Sequence, residues 1–293
     1  MTSKENSYEN ADKSELSQEE FEFIRKMVYD NIGVNLTQSK KALVVSRLKK
    51  RLRELSFTSF KDYLNYLETA EGELDIVFNL ITTNVTKFFR EPRHFKFLYF
   101  NYFKYLEDLR EEGSIDNTIR VWSAGCSTGE EPYTLAMFLH YYFKQNRKDW
   151  NIKILASDIN LEVLKKARNG IYSKDEVMGV PYKLLKRYFH LGTGPNEGKF
   201  KVKDEIKSLV SFKRINLAGK EEYPIGDPFH IIFCRNVFIY FDKKTQNRIL
   251  KNFDNHLIPG GILCLGHSES INVREPGNEN WRLLEHTIYQ KGH

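Results

Sequence analysis

The chain has 293 residues, 41% hydrophobic and 14% aromatic, which is room for about two domains with real cores. No window approaches the ~18 uninterrupted apolar residues of a membrane span, and no secretory leader opens the chain, so a cytosolic address is expected. The net charge is only +6, and the three cysteines are far apart and form no CxxC pair, which argues for packed, reduced thiols and against a zinc site.

The charge is uneven. Residues 1–24 carry seven acids against Lys4 and Lys13. Residues 1–14 are polar and are expected to be disordered. Ser17-x-x-Glu20 is a capping box, followed by Phe21, Ile24 and Val28 at helical spacing, and Gly33 ends that helix. A second helix is predicted over Gln38–Leu55, with Val45, Leu48, Leu52 and Leu55 as its apolar stripe. The rest of its circumference is basic: residues 40–54 hold seven bases, among them Lys40, Arg47, Lys50 and Arg51, against Glu54. Two more helices are predicted near 59–69 and 73–83. The segment Thr82–Pro92 is dense in hydrogen-bonding groups and reads either as a linker or as a loop closing over a ligand. The aromatic run Phe95–Tyr105 reads as a connecting helix whose rings are core.

From Thr118 strands and helices alternate: strands at Ile119–Ser123, Ile152–Ser157, Phe229–Cys234 and Ile262–Gly266, with helices at Glu131–Phe143, Leu161–Arg168 and Lys243–His256. This is the pattern of a doubly wound parallel sheet. A small antiparallel excursion is predicted between Tyr188 and Asn216, around Gly192-Thr-Gly-Pro195, leading into a strand at Leu209–Ile215. Trp281–Gln290 reads as one edge strand.

The richest stretch is Val121-Trp-Ser-Ala-Gly-Cys-Ser-Thr-Gly-Glu-Glu-Pro-Tyr-Thr-Leu135, in which a strand runs into glycines, two carboxylates and a helix. Small cofactors bind at such strand ends. Gly125-x-x-x-Gly129 departs from GxGxxG, and Glu130 and Glu131 repel a pyrophosphate while favouring a cation, so a nicotinamide oxidoreductase is disfavoured. S-adenosylmethionine is cationic and has no phosphate. Asp158, at the tip of the next strand, reads as a ribose ligand or a helix cap. Asn236, in Cys234-Arg235-Asn236-Val237, reads as a nucleoside ligand or a turn residue. Tyr240 and Phe241 either wall a reaction centre or pack. The bases are confined to one helix, and no amino-methylation motif of the Asn-Pro-Pro-Tyr type or catalytic cysteine motif is present, which disfavours a nucleic-acid methyltransferase.

These segments together resemble the CheR-type chemotaxis receptor glutamate O-methyltransferases. The resemblance runs from about Ser17 to the end. It rests on Asn84-Val-Thr-Lys-Phe-Phe-Arg-Glu91, Val121–Tyr133, Ala156-Ser-Asp158, Gly192–Pro195, Phe233–Val237, Tyr240-Phe-Asp242 and Gly266-His-Ser-Glu269. It implies an all-helical domain over 15–90, a connecting helix over 91–117 and a Rossmann-like methyltransferase domain over 118–293 with a β-subdomain at about 188–208. It implies S-adenosylmethionine as cofactor and no metal. The cofactor residues it implies are Asn84, Thr86, Arg90, Gly125, Glu131, Asp158, Asn216, Leu217, Arg235 and Asn236. Arg90 and Tyr240 are the implied catalytic residues, Arg90 orienting a carboxylate and Tyr240 facing the methyl group. The substrate implied is glutamate on chemoreceptor cytoplasmic helices. Lys40, Arg47, Lys50 and Arg51 are expected to dock there, and Gly192 and Gly194 to dock a receptor C-terminal pentapeptide. A monomer without nucleic-acid partner, membrane insertion or appended regulatory module is expected.

Overall fold

The computed structural model describes residues 15–145 and 149–292, so the segment 1–14 lies outside the described residues. The chain divides into two compact units, residues 1–83 and 84–293. The boundary falls at Thr83/Asn84, whereas the resemblance implied a helical domain running on to 90. The Asn84–Glu91 segment and the aromatic helix after it therefore belong to the second unit.

Among the described residues the first unit holds four α-helices: α1 (Gln18–Ile32), α2 (Lys41–Glu54), α3 (Phe60–Thr69) and α4 (Glu73–Ile81). The capping box at Ser17 is formed in both directions, and Gly33 closes α1 in the left-handed conformation, donating its N–H to Tyr29. A short 3₁₀ turn, Gln38–Lys40, precedes α2. Phe21, Ile24, Val28, Val44, Leu48, Leu52, Tyr63 and Val77 form the buried faces.

The second unit opens with α5 (Pro92–Phe97), a π-helical turn (Leu98–Tyr102) and α6 (Phe103–Glu111). Then follow β1 (Thr118–Ala124), α7 (Glu130–Gln145), β2 (Asn151–Asp158), α8 (Leu161–Asn169), β3 (Ile171–Ser173), α9 (Tyr182–Tyr188), β4 (Phe189–Leu191), β5 (Lys199–Val202), α10 (Asp204–Lys207), β6 (Val210–Arg214), β7 (Phe229–Cys234), α11 (Lys243–His256), β8 (Leu257–Leu265), β9 (Trp281–Glu285) and β10 (Ile288–Lys291). The main sheet runs β6-β2-β1-β7-β8-β10-β9. β6, β2, β1, β7 and β8 are parallel, and β10 and β9 close the edge antiparallel. The predicted single edge strand is thus a hairpin: Thr287 takes a left-handed turn (φ 62°) that splits it.

Successive residues along the strands face opposite cores, as the pleat requires. Val121, Ile231, Phe233 and Ile262 meet Phe95, Leu98, Phe103 and Leu135 on one side. Trp122, Ile232 and Leu263 meet Ile249 and Phe253 of α11 on the other. Of the Phe95–Tyr105 run, Phe95, Tyr102 and Phe103 are core, with Phe95 and Phe103 packing on Phe138, whereas Tyr99 and Phe100 stand 44% and 74% exposed, against the expectation that the run's rings are core. All three cysteines are free and buried.

The antiparallel excursion starts earlier than 188. Its three-stranded sheet, β3-β5-β4, begins with Ile171-Tyr-Ser173, a strand too short to carry a readable alternation. The Gly192–Pro195 stretch makes the β4–β5 turn. A side chain at Gly192 would stand 2.0 Å from the Asn196 carbonyl, and Gly194 has φ 57°.

Candidate cofactor site

Parallel order puts the C-terminal ends of β1, β2 and β7 side by side, and the turns after them form the site. After β1, Gly125 (φ 80°), Ser127 (φ 49°) and Gly129 (φ 98°) take left-handed conformations. The first N–H groups of the turn are occupied: Gly125 and Cys126 both donate to the Ser157 carbonyl at 2.8 Å, and Ser127 donates to Asp158 Oδ2 at 2.9 Å. A phosphate cradle needs such donors free, so the geometry agrees with a ligand that has no pyrophosphate. The glycines serve close packing. A side chain at Gly129 would meet the Tyr172 hydroxyl at 2.7 Å and Ala167 Cβ at 2.9 Å. At Gly125 it would meet Val237 Cγ2 at 2.5 Å.

Asp158 stands at the tip of β2, as the sequence placed it, but it is not the cap of α8. Its Oδ1 accepts the Asn160 N–H at 3.0 Å and its Oδ2 accepts that of Ser127, while the cap of α8 is Asn160 itself. Burial raises its pKa above the ordinary carboxylate range. Next to it, Ile215 donates to the Asp158 carbonyl, which brings Asn216 and the buried Leu217 to the same strand end. Asn216 Oδ1 accepts the Ala218 N–H at 3.0 Å.

Asn84–Glu91 is closed on itself and pinned over the turn. The Asn84 carbonyl accepts from Ser127 Oγ at 3.0 Å, Phe89 N–H donates to Thr134 Oγ1 at 3.2 Å, and Arg90 Nη1 donates to the Val85 carbonyl at 2.9 Å. Phe88 is its buried anchor, edge-on to Tyr172 and Phe189. Phe89 and Glu91 are left-handed, and Val85 stands 76% exposed at the tip. Thr86 is half-buried, with no hydrogen-bond partner among the described residues.

Arg235 and Glu131 lie at the site but face each other. Arg235 Nε donates to Glu131 Oε2 at 2.8 Å, and Ser123 Oγ donates to Glu131 Oε1 at 2.7 Å. Arg235 Nη1 donates to the Arg90 carbonyl at 2.7 Å and to His94 Nδ1 at 3.2 Å, and lies 3.5 Å from Glu91. Its side chain is 2% exposed and stacks over Phe95 and Phe233. The guanidinium thus pins the Asn84–Glu91 segment to the end of β7. Burial, then the Arg235 charge, lowers the His94 pKa to about 3. A neutral ring accepts from Arg235 at Nδ1 and donates from Nε2 to Thr287 Oγ1 at 2.9 Å. The spacing of His94 from any motif gave no signal for this role.

After β7, Asn236 is left-handed (φ 60°), and a 3₁₀ turn, Phe238–Tyr240, carries the half-buried Tyr240. Glu269 holds this segment through backbone N–H groups, a residue that the sequence placed in a motif without a role. Glu130 is the other carboxylate here. It is buried, accepts from Thr128 Oγ1 at 2.6 Å, and stands in the first turn of α7, where a negative charge suits the helix dipole.

In the first unit the basic helix is not uniformly free. Arg47 Nη1 donates to the carbonyls of Leu80, Ile81 and Thr82 at 2.7, 2.8 and 2.9 Å, closing the C-terminus of α4. Arg51 forks onto the buried Glu73 at 2.8 and 2.7 Å, and Tyr63 donates to the same carboxylate. Both were expected to face a partner. Lys40, in the turn before α2, and Lys50 and Arg53 on α2 remain exposed.

A mostly parallel sheet with carboxylate-rich turns at its strand ends is the architecture of a Rossmann-like methyltransferase domain. The family comparison is specific. A model described as the SAM binding domain of CheR methyltransferase matches residues 84–287, and one described as the CheR all-alpha domain matches residues 19–82. The chain belongs to the CheR methyltransferase family. It is 41% identical over 280 residues to a chemotaxis protein methyltransferase of Borreliella burgdorferi, covering 94% of this chain and 95% of that one. It is 42% identical to the chemotaxis protein methyltransferase of Escherichia coli, covering 94% of this chain and 91% of that one.

The residues present fit S-adenosylmethionine. Asn236 Oδ1 is buried without a hydrogen-bond partner among the described residues, an acceptor left for a ligand's donor. Carboxylates also predominate at the strand ends, Glu91, Glu130, Glu131, Asp158 and Glu269 against Arg90 and Arg235, which suits a cationic ligand.

Proposed function

We propose that this protein methylates the side-chain carboxylates of specific glutamates on the cytoplasmic helices of chemoreceptors, giving glutamyl methyl esters, for adaptation in bacterial chemotaxis. Bound S-adenosylmethionine supplies a methyl group on a sulfonium and leaves as S-adenosylhomocysteine. The observation that carries the reading is the arrangement at the strand ends. Asp158, the orphaned Asn236 amide and the Asn84–Glu91 loop converge there, in a family whose curated members are named as chemotaxis protein methyltransferases.

The division of labour follows from chemistry. A glutamate side chain has a pKa near ~4.3 and is already a nucleophile at neutral pH, so no general base is needed. What the chain must provide is alignment, which is worth up to ~7–11 kcal/mol in the best cases. Asp158 holds the ribose hydroxyls, with Asn84, Thr86, Asn216, Leu217 and Asn236 lining the rest of the cofactor. Arg90 orients a carboxylate, and Tyr240 shields the methyl centre from water. Arg235 and Glu131 act one layer back, keeping the Asn84–Glu91 loop in place.

The receptor is met by surfaces outside the site. Lys40, Lys50 and Arg53 offer positive charge to Glu-rich receptor helices. The small sheet, whose edges are β3 and β4, takes a receptor C-terminal pentapeptide by strand addition at a position set by the Gly192–Pro195 turn.

The test is methyl transfer from labelled S-adenosylmethionine to a chemoreceptor cytoplasmic fragment, followed by mild base. Glutamyl esters release volatile labelled methanol. Protein-bound label that survives base overturns the ester assignment. Label that fails to transfer, with S-adenosylhomocysteine bound tightly, overturns the substrate and leaves the cofactor site.

A further inference from the structure

We propose that Glu269 is a positioning residue for the reaction: its carboxylate fixes the segment Asn236–Tyr240, and with it the Asn236 amide and the Tyr240 ring. This rests on the reading that this segment serves the cofactor and the methyl centre.

Three features fit only together. Asn236 sits at φ 60°, a left-handed conformation that Asn tolerates better than most L-residues but at some cost in energy. Glu269, 5% exposed in the turn after β8, accepts the Asn236 N–H at 2.8 Å and the Gly266 N–H at 2.6 Å with Oε2. Its Oε1 accepts the Ile239 N–H at 3.3 Å. Gly266 makes the approach possible, since a side chain there would stand 2.7 Å from Asn236 Nδ2 and 2.8 Å from both Asn236 N and Glu269 Oε2.

The carboxylate therefore bridges the two ends of one short segment. Oε2 holds its start, at the residue with the unpaired buried amide oxygen, and Oε1 holds its end, one residue before Tyr240. Both oxygens are thus engaged by the backbone of the two turns. All of its partners in the structure are N–H dipoles. An ionised carboxylate is the strongest acceptor for such a set. Burial alone raises the Glu269 pKa, and the backbone N–H groups oppose that rise.

The two ends give a separable signature. Glu269→Gln keeps one carbonyl oxygen, which belongs where two N–H groups converge, at the Oε2 position. Its NH2 then faces the Ile239 N–H, and the Tyr240 end is released while the Asn236 end is held. Glu269→Ala releases both ends.

The experiment measures S-adenosylhomocysteine affinity by calorimetry and methyl transfer to a chemoreceptor fragment, with thermal unfolding as a control. For Glu269→Gln, kcat is expected to fall about tenfold, with affinity within threefold of wild type. For Glu269→Ala, affinity also falls tenfold or more. In the unmutated protein, the amide protons of Asn236, Gly266 and Ile239 are expected to titrate together on acidification, with S-adenosylhomocysteine affinity falling over the same range. This reading survives even where a variant fails to fold. Variants with wild-type kcat and affinity, losses that match the unfolded fraction alone, or three amides that titrate separately overturn the proposal. Wild-type protein that does not bind S-adenosylhomocysteine overturns the cofactor reading itself, a distinct outcome.

Discussion

Each of the two units contains an arginine forked or hooked onto a buried glutamate, and the two pairs do different work. In the first unit Arg51 bridges α2 to the first turn of α4 through Glu73, with 19% of the arginine side chain still exposed. In the second unit Arg235 grips Glu131 with 2% exposure, and its Nη1 reaches the Arg90 carbonyl and His94 Nδ1. The first pair holds a helix packing angle. The second holds the segment that closes over the strand ends. A cation expected to meet a ligand or partner is therefore no guide to contact: both arginines face inward, and only the second is tied to the site's geometry.

Breaking the second pair is expected to have the largest effect. Arg235→Ala strands Glu131 as an unpaired buried charge, a loss on the order of 3–5 kcal/mol. It also frees the Arg90 carbonyl, so methyl transfer is expected to fall more than a hundredfold at temperatures where the variant is still folded. Arg235→Lys keeps the charge but cannot serve Glu131, Arg90 and His94 together. If Arg235→Lys retains full activity, the pinning role is wrong. Arg51→Ala is the matched control. It is expected to lower stability by roughly 1–3 kcal/mol, less because water reaches the pair, and to leave S-adenosylhomocysteine affinity unchanged in calorimetry. A loss of affinity there would erase the contrast between the pairs.

The contrast also marks what the sequence could reveal. The strand-to-helix turn, Asp158 at a strand tip and the alternating order were readable because each is a local pattern, and the main sheet follows it. Asn236 and Tyr240 were placed at the site by position after β7. Partnership across more than 100 residues has no local signature, so Arg235 and Glu131 read as separate ligands. Arg47 and Arg51 read as surface because helical periodicity gives the face of a residue and not the carbonyls or carboxylates that α4 brings to it. The β-subdomain began early and the terminal strand proved a hairpin because three to five residues carry too little alternation.

The pH response should sharpen the picture next. His94 is held at about 3 and His230 at about 4, both below the ~6.5 of an unfolded histidine. Their neutral forms accept from Arg235 and from the Arg120 N–H. As pH falls below ~6.5 the unfolded chain takes up protons that the folded one refuses, so stability falls toward pH 4. The slope approaches about 1.4 kcal/mol per pH unit for each histidine. Urea midpoints at pH 7, 6 and 5 measure it. His94→Gln is expected to flatten the curve, and an unchanged slope would mean that His94 charges freely in the fold.

The smallest effect on the fold belongs to the charges left outside both pairs. Lys40, Lys50 and Arg53 are exposed, so reversing them to Glu is expected to change stability by no more than about 0.5 kcal/mol. Reversal of Arg47 or Arg51 is a poor test of docking, because either change unfastens α4. If the outer face of α2 steers onto acidic receptor helices, the triple reversal should raise the KM for receptor several-fold at low salt. That difference should shrink as ionic strength approaches 0.5 M, where screening shortens the reach of exposed charges. S-adenosylhomocysteine affinity, set at the strand ends of the other unit, should not move. A receptor KM indifferent to both charge reversal and salt would leave α2 as a solvated helix whose only working cations are the two turned inward.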